Sequence, residues 1–150
     1  MRFPVLILLV VALAAAACGD KTPTSPSTIS SAPVPVTERF DAIIDLKGSS
    51  FYPFSVNGSG GNVTINLASL SPLNRPGLLN VEMQIGYGTV VTDADGNPAG
   101  CDSKKTIQTA PALAAQLTDT LTVATNYCAN IADIGNLREP ANFSVRITHP

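Results

Sequence analysis

Few residues of this chain combine a reactive side chain with the neighbours that catalysis needs. A nucleophile requires a nearby base and a third group that orients the base. The single histidine, His149, precedes the last residue, and chain ends are commonly frayed. Ser59 lies in NGSGG, which lacks the G-x-S-x-G spacing of a nucleophile elbow. The sequence therefore predicts no Ser/His/Asp or Cys/His catalytic set, and we expect a protein that is not an enzyme.

The acidic stretch TDADGNPAGCD is the best candidate for a metal site. Asp93, Asp95 and Asn97 would offer oxygen atoms, the ligands that Ca²⁺ prefers. An EF-hand loop has glycine at its sixth position and glutamate at its twelfth, whereas Gly96 stands fourth here. Asp-Gly is also typical of hairpin turns, because both residues tolerate positive φ. We therefore expect a turn and no cofactor, with calcium as the alternative.

Aromatic side chains are the usual platforms for a sugar ligand, since they join an apolar face to a polar tip. The chain has no Trp and three Tyr, and Tyr52 and Tyr127 fall on apolar strand faces that predict a core position. Tyr87 stands between Gly86 and Gly88, which would leave its ring uncrowded, so it is the candidate ligand-binding residue. The same glycines could equally mark a strand end where sheets cross closely.

The first residues follow the three-part plan of an export signal. Arg2 is followed by an apolar run from Phe3 to Ala17 and by small residues at a cleavage point. A membrane-spanning helix needs about 20 apolar residues, so this run is too short for one. The stretch that ends the run, Ala15-Ala16-Ala17-Cys18, resembles the lipobox of bacterial lipoproteins, although that family usually has leucine at the position of Ala15.

This resemblance implies that residues 1–17 are a signal peptide and that the Cys18 thiol is acylated. Two or more fatty chains are enough for stable attachment to a membrane. Gly19, and not an aspartate, follows the cysteine, which by resemblance to sorting in enteric bacteria implies the outer membrane. An ordinary secretory signal with a cysteine nearby is the alternative.

Cys101 and Cys128 remain as a pair in an oxidising compartment, where disulfides persist. A bridge between them would close a loop of about 28 residues and contribute roughly 3–4 kcal/mol to stability. Free thiols and a two-ligand metal site are the alternatives. One histidine is too few to complete a zinc site of four nitrogen and sulfur ligands, so we predict the disulfide.

Residues 18–37 are rich in Ser, Thr and Pro and are predicted to form a disordered tether. Over residues 38–150, apolar and polar residues alternate in about eight short segments separated by turn sequences, which predicts one antiparallel β-sandwich. A short helix opening at Pro111 is a competing interpretation of PALAAQL, and Pro53 predicts an edge strand. The predicted inward residues are Phe40, Ala42, Ile44, Leu46, Tyr52, Phe54, Val56, Val63, Ile65, Leu67, Leu79, Val81, Met83, Ile85, Leu117, Leu121, Val123, Tyr127, Ala129, Ile131, Phe143, Val145 and Ile147.

The order of these segments resembles the bacterial pre-peptidase C-terminal domain over roughly residues 38–150. The matching stretches are FYPFSVNGSGGNVTINL, NYCANI and NFSVRITHP. The resemblance implies a jelly-roll-like sandwich and a non-catalytic, accessory role. Asn80 and Glu82 stand where the family often has an acidic D-x-D stretch, and the chain contains no peptidase domain, with which the family is commonly joined.

Charge argues against a nucleic-acid partner. Charged residues make up 13% of the chain and the net charge is −2, whereas nucleic-acid binding calls for a basic patch. Lys104 and Lys105 are the only adjacent basic pair and are expected in a solvated loop. We therefore predict an envelope lipoprotein, held at the membrane by its lipid, that binds or scaffolds an extracellular polysaccharide or protein. The alternative is an accessory or chaperone-like domain for a separately encoded secreted peptidase.

Overall fold

A computed structural model describes residues 34–58 and 60–150, which form eight β-strands and contain no helix. The predicted signal peptide, Cys18, Ser59 and most of the predicted tether lie outside these residues. The first strand begins two residues before the predicted domain start. The strands are β1 (Val36–Ile44), β2 (Ser49–Ser55), β3 (Gly61–Pro72), β4 (Met83–Thr92), β5 (Pro98–Thr109), β6 (Leu117–Leu121), β7 (Asn126–Ala132) and β8 (Ala141–His149).

The strands form two antiparallel sheets of four strands each, which confirms the predicted jelly-roll-like sandwich. The first sheet has the order β1-β8-β3-β6 and the second has the order β2-β7-β4-β5. Each strand of the first half therefore pairs with its counterpart counted from the end: β1 with β8, β2 with β7, β3 with β6 and β4 with β5. This nested pairing is the arrangement of a double-sheet jelly roll.

The connections between strands separate into two ends of the sandwich. Strand β1 begins at the same end as the β2–β3, β4–β5 and β6–β7 connections, because consecutive strands alternate in direction. The opposite end, here called the four-loop end, has the β1–β2, β3–β4, β5–β6 and β7–β8 connections. Backbone hydrogen bonds between these connections join Leu73 N to Pro140 O and Asp133 N to Gly48 O.

The core lies between the inner faces of the two sheets, as the period-two pattern predicts. Residues such as Val63, Ile85 and Ile147 are fully buried there. The prediction of an inward side chain is wrong for two residues. Leu46 is 48% exposed because it follows the end of β1, and Val123 is 58% exposed because β6 ends at Leu121.

The β5 region differs from the sequence prediction in two ways. Lys104 and Lys105 lie within β5 and not in a loop, since β5 extends over the whole of Pro98–Thr109. The competing helix at 111–117 does not form. Its residues run beside β3 instead, where Ala112 N donates to Leu67 O and Gln116 N donates to Ile65 O. These hydrogen bonds satisfy backbone carbonyl groups of β3 at and beyond the end of its pairing with β6. The predicted edge position of Pro53 is confirmed, because β2 is an outer strand of its sheet.

The predicted disulfide is present between Cys101 on β5 and Cys128 on β7, with Cα atoms 5.8 Å apart. Both strands pair with β4, so the bridge passes across that strand. The crossing depends on Gly88, because a Cβ at this residue would lie 1.9 Å from the carbonyl oxygen of Asp102. The missing side chain lets β5 fold over the outer face of β4 and bring the two sulfur atoms together.

Candidate functional site

A polar depression lies on the outer face of the first sheet. This groove has a volume of about 390 Å³ and crosses β1, β8 and β3. Its hydrogen-bonding side chains are those of Arg39, Asp41, Ser69, Ser71, Asn142 and Ser144. Such a mixture of hydroxyl, amide, guanidinium and carboxylate groups offers both donors and acceptors.

A β-bulge in β3 puts two of these serines into the groove. The pairing of β3 with β8 shifts between Leu67 and Ser69, so Ala68 is an extra residue. Strict alternation from Val63 would turn Ser69 and Ser71 toward the core. The bulge reverses the parity, sends the fully buried Leu70 inward, and leaves both serines on the outer face. Bulges commonly re-aim side chains in this way.

Arg39 organises the polar groups at one end of the groove. Its Nε–H donates to Asp41 Oδ1 at 2.9 Å and to Ser144 Oγ at 3.0 Å. Ser144 is only 4% exposed, so the hydrogen bond satisfies a buried hydroxyl. The Ser144 hydroxyl and the Arg39 guanidinium lower the pKa of Asp41 against the opposing effect of burial. The carboxylate therefore stays ionised in the groove at neutral pH.

A second depression, here called the apolar cleft, lies at the four-loop end. Its volume is about 420 Å³, and the β3–β4 and β5–β6 connections form its walls. Two leucines that line the cleft are almost fully exposed to solvent: Leu78 is 81% exposed and Leu113 is 89% exposed. Exposed apolar surface that lines a concave site is characteristic of interaction surfaces.

Tyr87, the predicted ligand-binding residue, is not an exposed ring. It is only 7% exposed, and its Oη donates to Asp119 Oδ2 at 2.9 Å. Gly86 and Gly88 do not leave the ring uncrowded. They lie inside β4 and let β5 of the same sheet approach it closely. The alternative of a strand end where sheets cross is therefore wrong as well. Burial, followed by the Asp119 carboxylate, raises the pKa of Tyr87 to about 12.

His149 also departs from its prediction, because it is only 4% exposed and not in a frayed end. Its Nε2 lies 3.1 Å from Glu38 Oε1, and its ring lies 4.9 Å from that of Phe54 between centroids. The same Glu38 carboxylate, assisted by burial, raises the pKa of the nearby Tyr52. No serine or cysteine nucleophile is hydrogen-bonded to His149 among the described residues.

Asp93, Asp95 and Asn97 form the turn between β4 and β5. Asp93 Oδ1 accepts hydrogen bonds from the backbone N–H groups of Asp95 at 3.0 Å and Asn97 at 2.8 Å, and Gly96 has φ of 84°. These bonds use the Asp93 side chain as an Asx-type turn acceptor. Within residues 34–58 and 60–150, no group of three or more His, Cys, Asp or Glu side chains is placed to hold a metal ion.

The residues that line the groove were not predicted from the sequence. The signal that was available is the sequence ASLSP, in which the apolar Leu70 breaks the alternation that starts at Val63. A parity change of this kind is the mark of a bulge, and it predicts that the flanking serines face outward. The apolar cleft had no comparable signal, because its two exposed leucines, Leu78 and Leu113, belong to two connections that meet only in the folded chain.

Comparisons with known proteins leave the family of this chain open. No protein-family model matches it, and no curated protein matches it. Among solved structures, it is similar to the crystal structure of the Yersinia pseudotuberculosis-derived mitogen (YPM), with 15% sequence identity, coverage of 77% of this chain and 86% of that chain, and a TM-score of 0.41. The strand pairing itself shows the fold. No helix in the described ranges is long and apolar enough to cross a membrane.

Proposed function

We propose that this chain is a non-enzymatic lipoprotein of the cell envelope whose β-sandwich binds an extracellular polysaccharide in the outer-face groove. The observation that carries the proposal is the lining of this groove by six hydrogen-bonding side chains from three neighbouring strands of one sheet. Sugars present hydroxyl groups that both donate and accept, and a groove with converging polar groups complements them.

The groove also contains an apolar contact for the carbon atoms of a sugar ring. Ile43 lines the groove and is 53% exposed, although an aliphatic residue on an outer sheet face is costly to hydrate. A ligand that packs against Ile43 while bonding to Asn142 and Ser71 would remove that cost. This combination supports an extended polysaccharide that lies along the sheet.

Membrane attachment through Cys18 belongs to the same proposal. The apolar run before Cys18 and the Ser/Thr/Pro-rich segment after it fit a lipid anchor and a tether. The disulfide between Cys101 and Cys128 fits an oxidising compartment outside the cytoplasm. Exchange of Cys18 for Ala in the producing bacterium is expected to release the protein from the membrane fraction. Retention of the Cys18→Ala protein in that fraction, with normal processing, would contradict the lipid anchor.

The binding function is tested with the detergent-solubilised protein on immobilised polysaccharides. Asn142→Ala removes an exposed amide from the groove and is expected to weaken binding about tenfold, the loss of roughly one good hydrogen bond. Gln108→Ala removes an exposed amide from β5 in the other sheet and is the matched control. Equal affinities for the two variants, or no retained polysaccharide, would overturn the proposal.

A protein partner is the second candidate, and the apolar cleft favours it. Leu78 and Leu113 expose aliphatic surface beside few polar groups, which suits an aliphatic segment of a partner protein better than a sugar. An accessory role toward a secreted peptidase, implied by the resemblance to the pre-peptidase C-terminal domain, would use this cleft. Leu113→Asp is then expected to abolish binding of a purified peptidase that co-purifies with the parent protein. Unchanged binding would exclude the cleft.

A further inference from the structure

The two exposed arginines of the first sheet lie directly opposite each other. Arg39 on β1 is the register partner of Arg146 on β8, and opposed residues in an antiparallel pair have Cβ atoms about 4.5–5.5 Å apart. Both side chains are exposed on the outer face, at the end of the groove that begins at Arg39.

This placement is unfavourable for the protein alone. Like charges directly opposite each other destabilise a sheet. A high density of basic residues does not explain why the two arginines face each other, because the whole chain has only nine Lys and Arg residues and a net charge of −2. Local conflicts that a fold retains are commonly found at functional sites.

Neighbouring side chains only partly neutralise the pair. The carboxylate of Asp41 contacts Arg39 Nε at 2.8 Å, and the side-chain hydrogen bonds of Arg39 to other described residues all use Nε. Arg146 forms no salt bridge with any residue in the described ranges. Within the described residues, the terminal nitrogens of both exposed guanidinium groups therefore have no side-chain hydrogen bond or salt bridge.

We propose that Arg39 and Arg146 form the anion-binding end of the groove and select a polysaccharide that carries acidic groups. This inference rests on the proposed polysaccharide-binding function. Guanidinium groups match the planar geometry of a carboxylate and bind other oxyanions such as sulfate. An anion between the two side chains would relieve their repulsion.

Hydroxyl groups on both sides of the arginine pair extend the match to a sugar chain. Thr37, Thr148 and Thr64 form one row across β1, β8 and β3. Asp41, Ser144 and Ser69 form the row on the opposite side of the pair. Ser69 offers the hydroxyl of this row, because the Ser144 hydroxyl is buried and bonded to Arg39. A sugar chain lying along the strands would place an acidic group at the arginines and neutral hydroxyls at the threonine row and at Ser69.

The experiment measures binding of the detergent-solubilised full chain to four polymers at low and high salt. Polygalacturonate carries carboxylates, dextran sulfate carries sulfates, dextran is neutral, and polyglutamate is anionic without sugars. We expect an acidic polysaccharide to bind at least tenfold more tightly than dextran, with a preference that weakens as salt screens the charges. The tighter of the two acidic polysaccharides identifies the acid group.

Three variants separate this site from general electrostatics. Arg146→Gln is expected to weaken acidic-polysaccharide binding at least about tenfold while leaving the melting temperature unchanged or raised, since it removes the repulsion. Asp41→Asn is expected to strengthen binding about fivefold, because it removes a competing negative charge. Arg138 is an exposed arginine on the β7–β8 connection. Arg138→Gln is the control and is expected to change neither acidic-polysaccharide binding nor the melting temperature.

The outcomes distinguish this inference from the function on which it rests. Equal binding of dextran and the acidic polysaccharides, with no effect of Arg146→Gln, would overturn the anion site and retain the polysaccharide function. Binding of polyglutamate as tight as that of polygalacturonate, and equally sensitive to Arg146→Gln, would retain the anion site and overturn polysaccharide selection. Retention of none of the four polymers would overturn both.

Discussion

The phenolic oxygen of Tyr87 on β4 donates a hydrogen bond of 2.9 Å to Asp119 on β6, and so joins the two sheets of the sandwich. Lys105 Nζ contacts the same carboxylate oxygen at 3.0 Å. The Lys105 ammonium, the Thr120 backbone N–H and the Tyr87 hydroxyl lower the pKa of Asp119. A similar inward carboxylate, Glu38, lies at the other edge of the sandwich. Each edge therefore has a polar contact where the apolar core meets water.

Truncation of the Tyr87 side chain is expected to lower the free energy of unfolding. Tyr87→Phe removes the hydrogen bond to Asp119 and should lower the free energy of unfolding by about 0.5–1.5 kcal/mol. Tyr87→Ala leaves a cavity as well and should lower it by about 3–5 kcal/mol, as for other large aromatic residues in cores. Urea unfolding followed by circular dichroism measures both. Equal stability of Tyr87→Ala and the parent protein would show that the ring is not part of the core.

Gly88→Ala is expected to disrupt the crossing of β5 over β4. The new Cβ would lie 1.9 Å from a backbone oxygen that cannot rotate away, so β5 must move, at a cost of at least about 2 kcal/mol. Gly100→Ala is the matched control in β5, because its Cβ would meet Val91 at an ordinary 3.8 Å. Thermal unfolding of the two variants measures the difference. Equal melting temperatures would contradict the close crossing.

Loss of the disulfide is expected to weaken the domain without removing its sheets. Replacement of both Cys101 and Cys128 by Ser opens a loop between residues 27 apart in sequence and should lower the free energy of unfolding by about 3–4 kcal/mol. Chemical denaturation with and without a reductant measures this loss, and the double variant serves as the reductant-insensitive control. A reductant effect of the same size in that variant would mean that the bridge is not the cause.

Asp133 holds the β7–β8 connection at the four-loop end. Its Oδ1 accepts from the backbone N–H groups of Gly135, Asn136 and Leu137, and its Oδ2 accepts from that of Lys47 at 2.7 Å. Burial alone would raise the pKa of Asp133, but these four hydrogen bonds outweigh it and the pKa lies below its ordinary value.

Asp133→Asn is expected to lower stability most at neutral pH. The new amide cannot accept at both positions, so at least one N–H group opposes a donor, and the loss of a charged acceptor costs about 1.5–3 kcal/mol. Because the folded-state pKa of Asp133 is lowered, its ionic contribution is present above the unfolded value of about 3.9 and disappears as pH falls through the folded value. Unfolding measured from pH 7 to pH 2 should show the two proteins converging in acid. A constant difference would contradict this role.

The sequence predicted the structure correctly where a feature depends on local sequence alone. Period-two alternation predicted the inward residues of β3, β7 and β8, because each strand exposes alternate side chains to opposite faces. The even cysteine pair predicted the disulfide. The alternation failed at Leu70, since the bulge of β3 depends on pairing with β8, which lies far away in the chain.

The sequence by itself determined the all-β class, most of the core residues and the covalent bridge, because alternation and an even pair of cysteines can be read from local sequence. Only the tertiary structure decided the candidate site. The register of β1 against β8 placed Arg39 opposite Arg146, and the packing of the two sheets buried Tyr87 against Asp119 of the facing sheet. Such relationships join residues distant in sequence, and they are set by packing and pairing that no short stretch of the chain specifies.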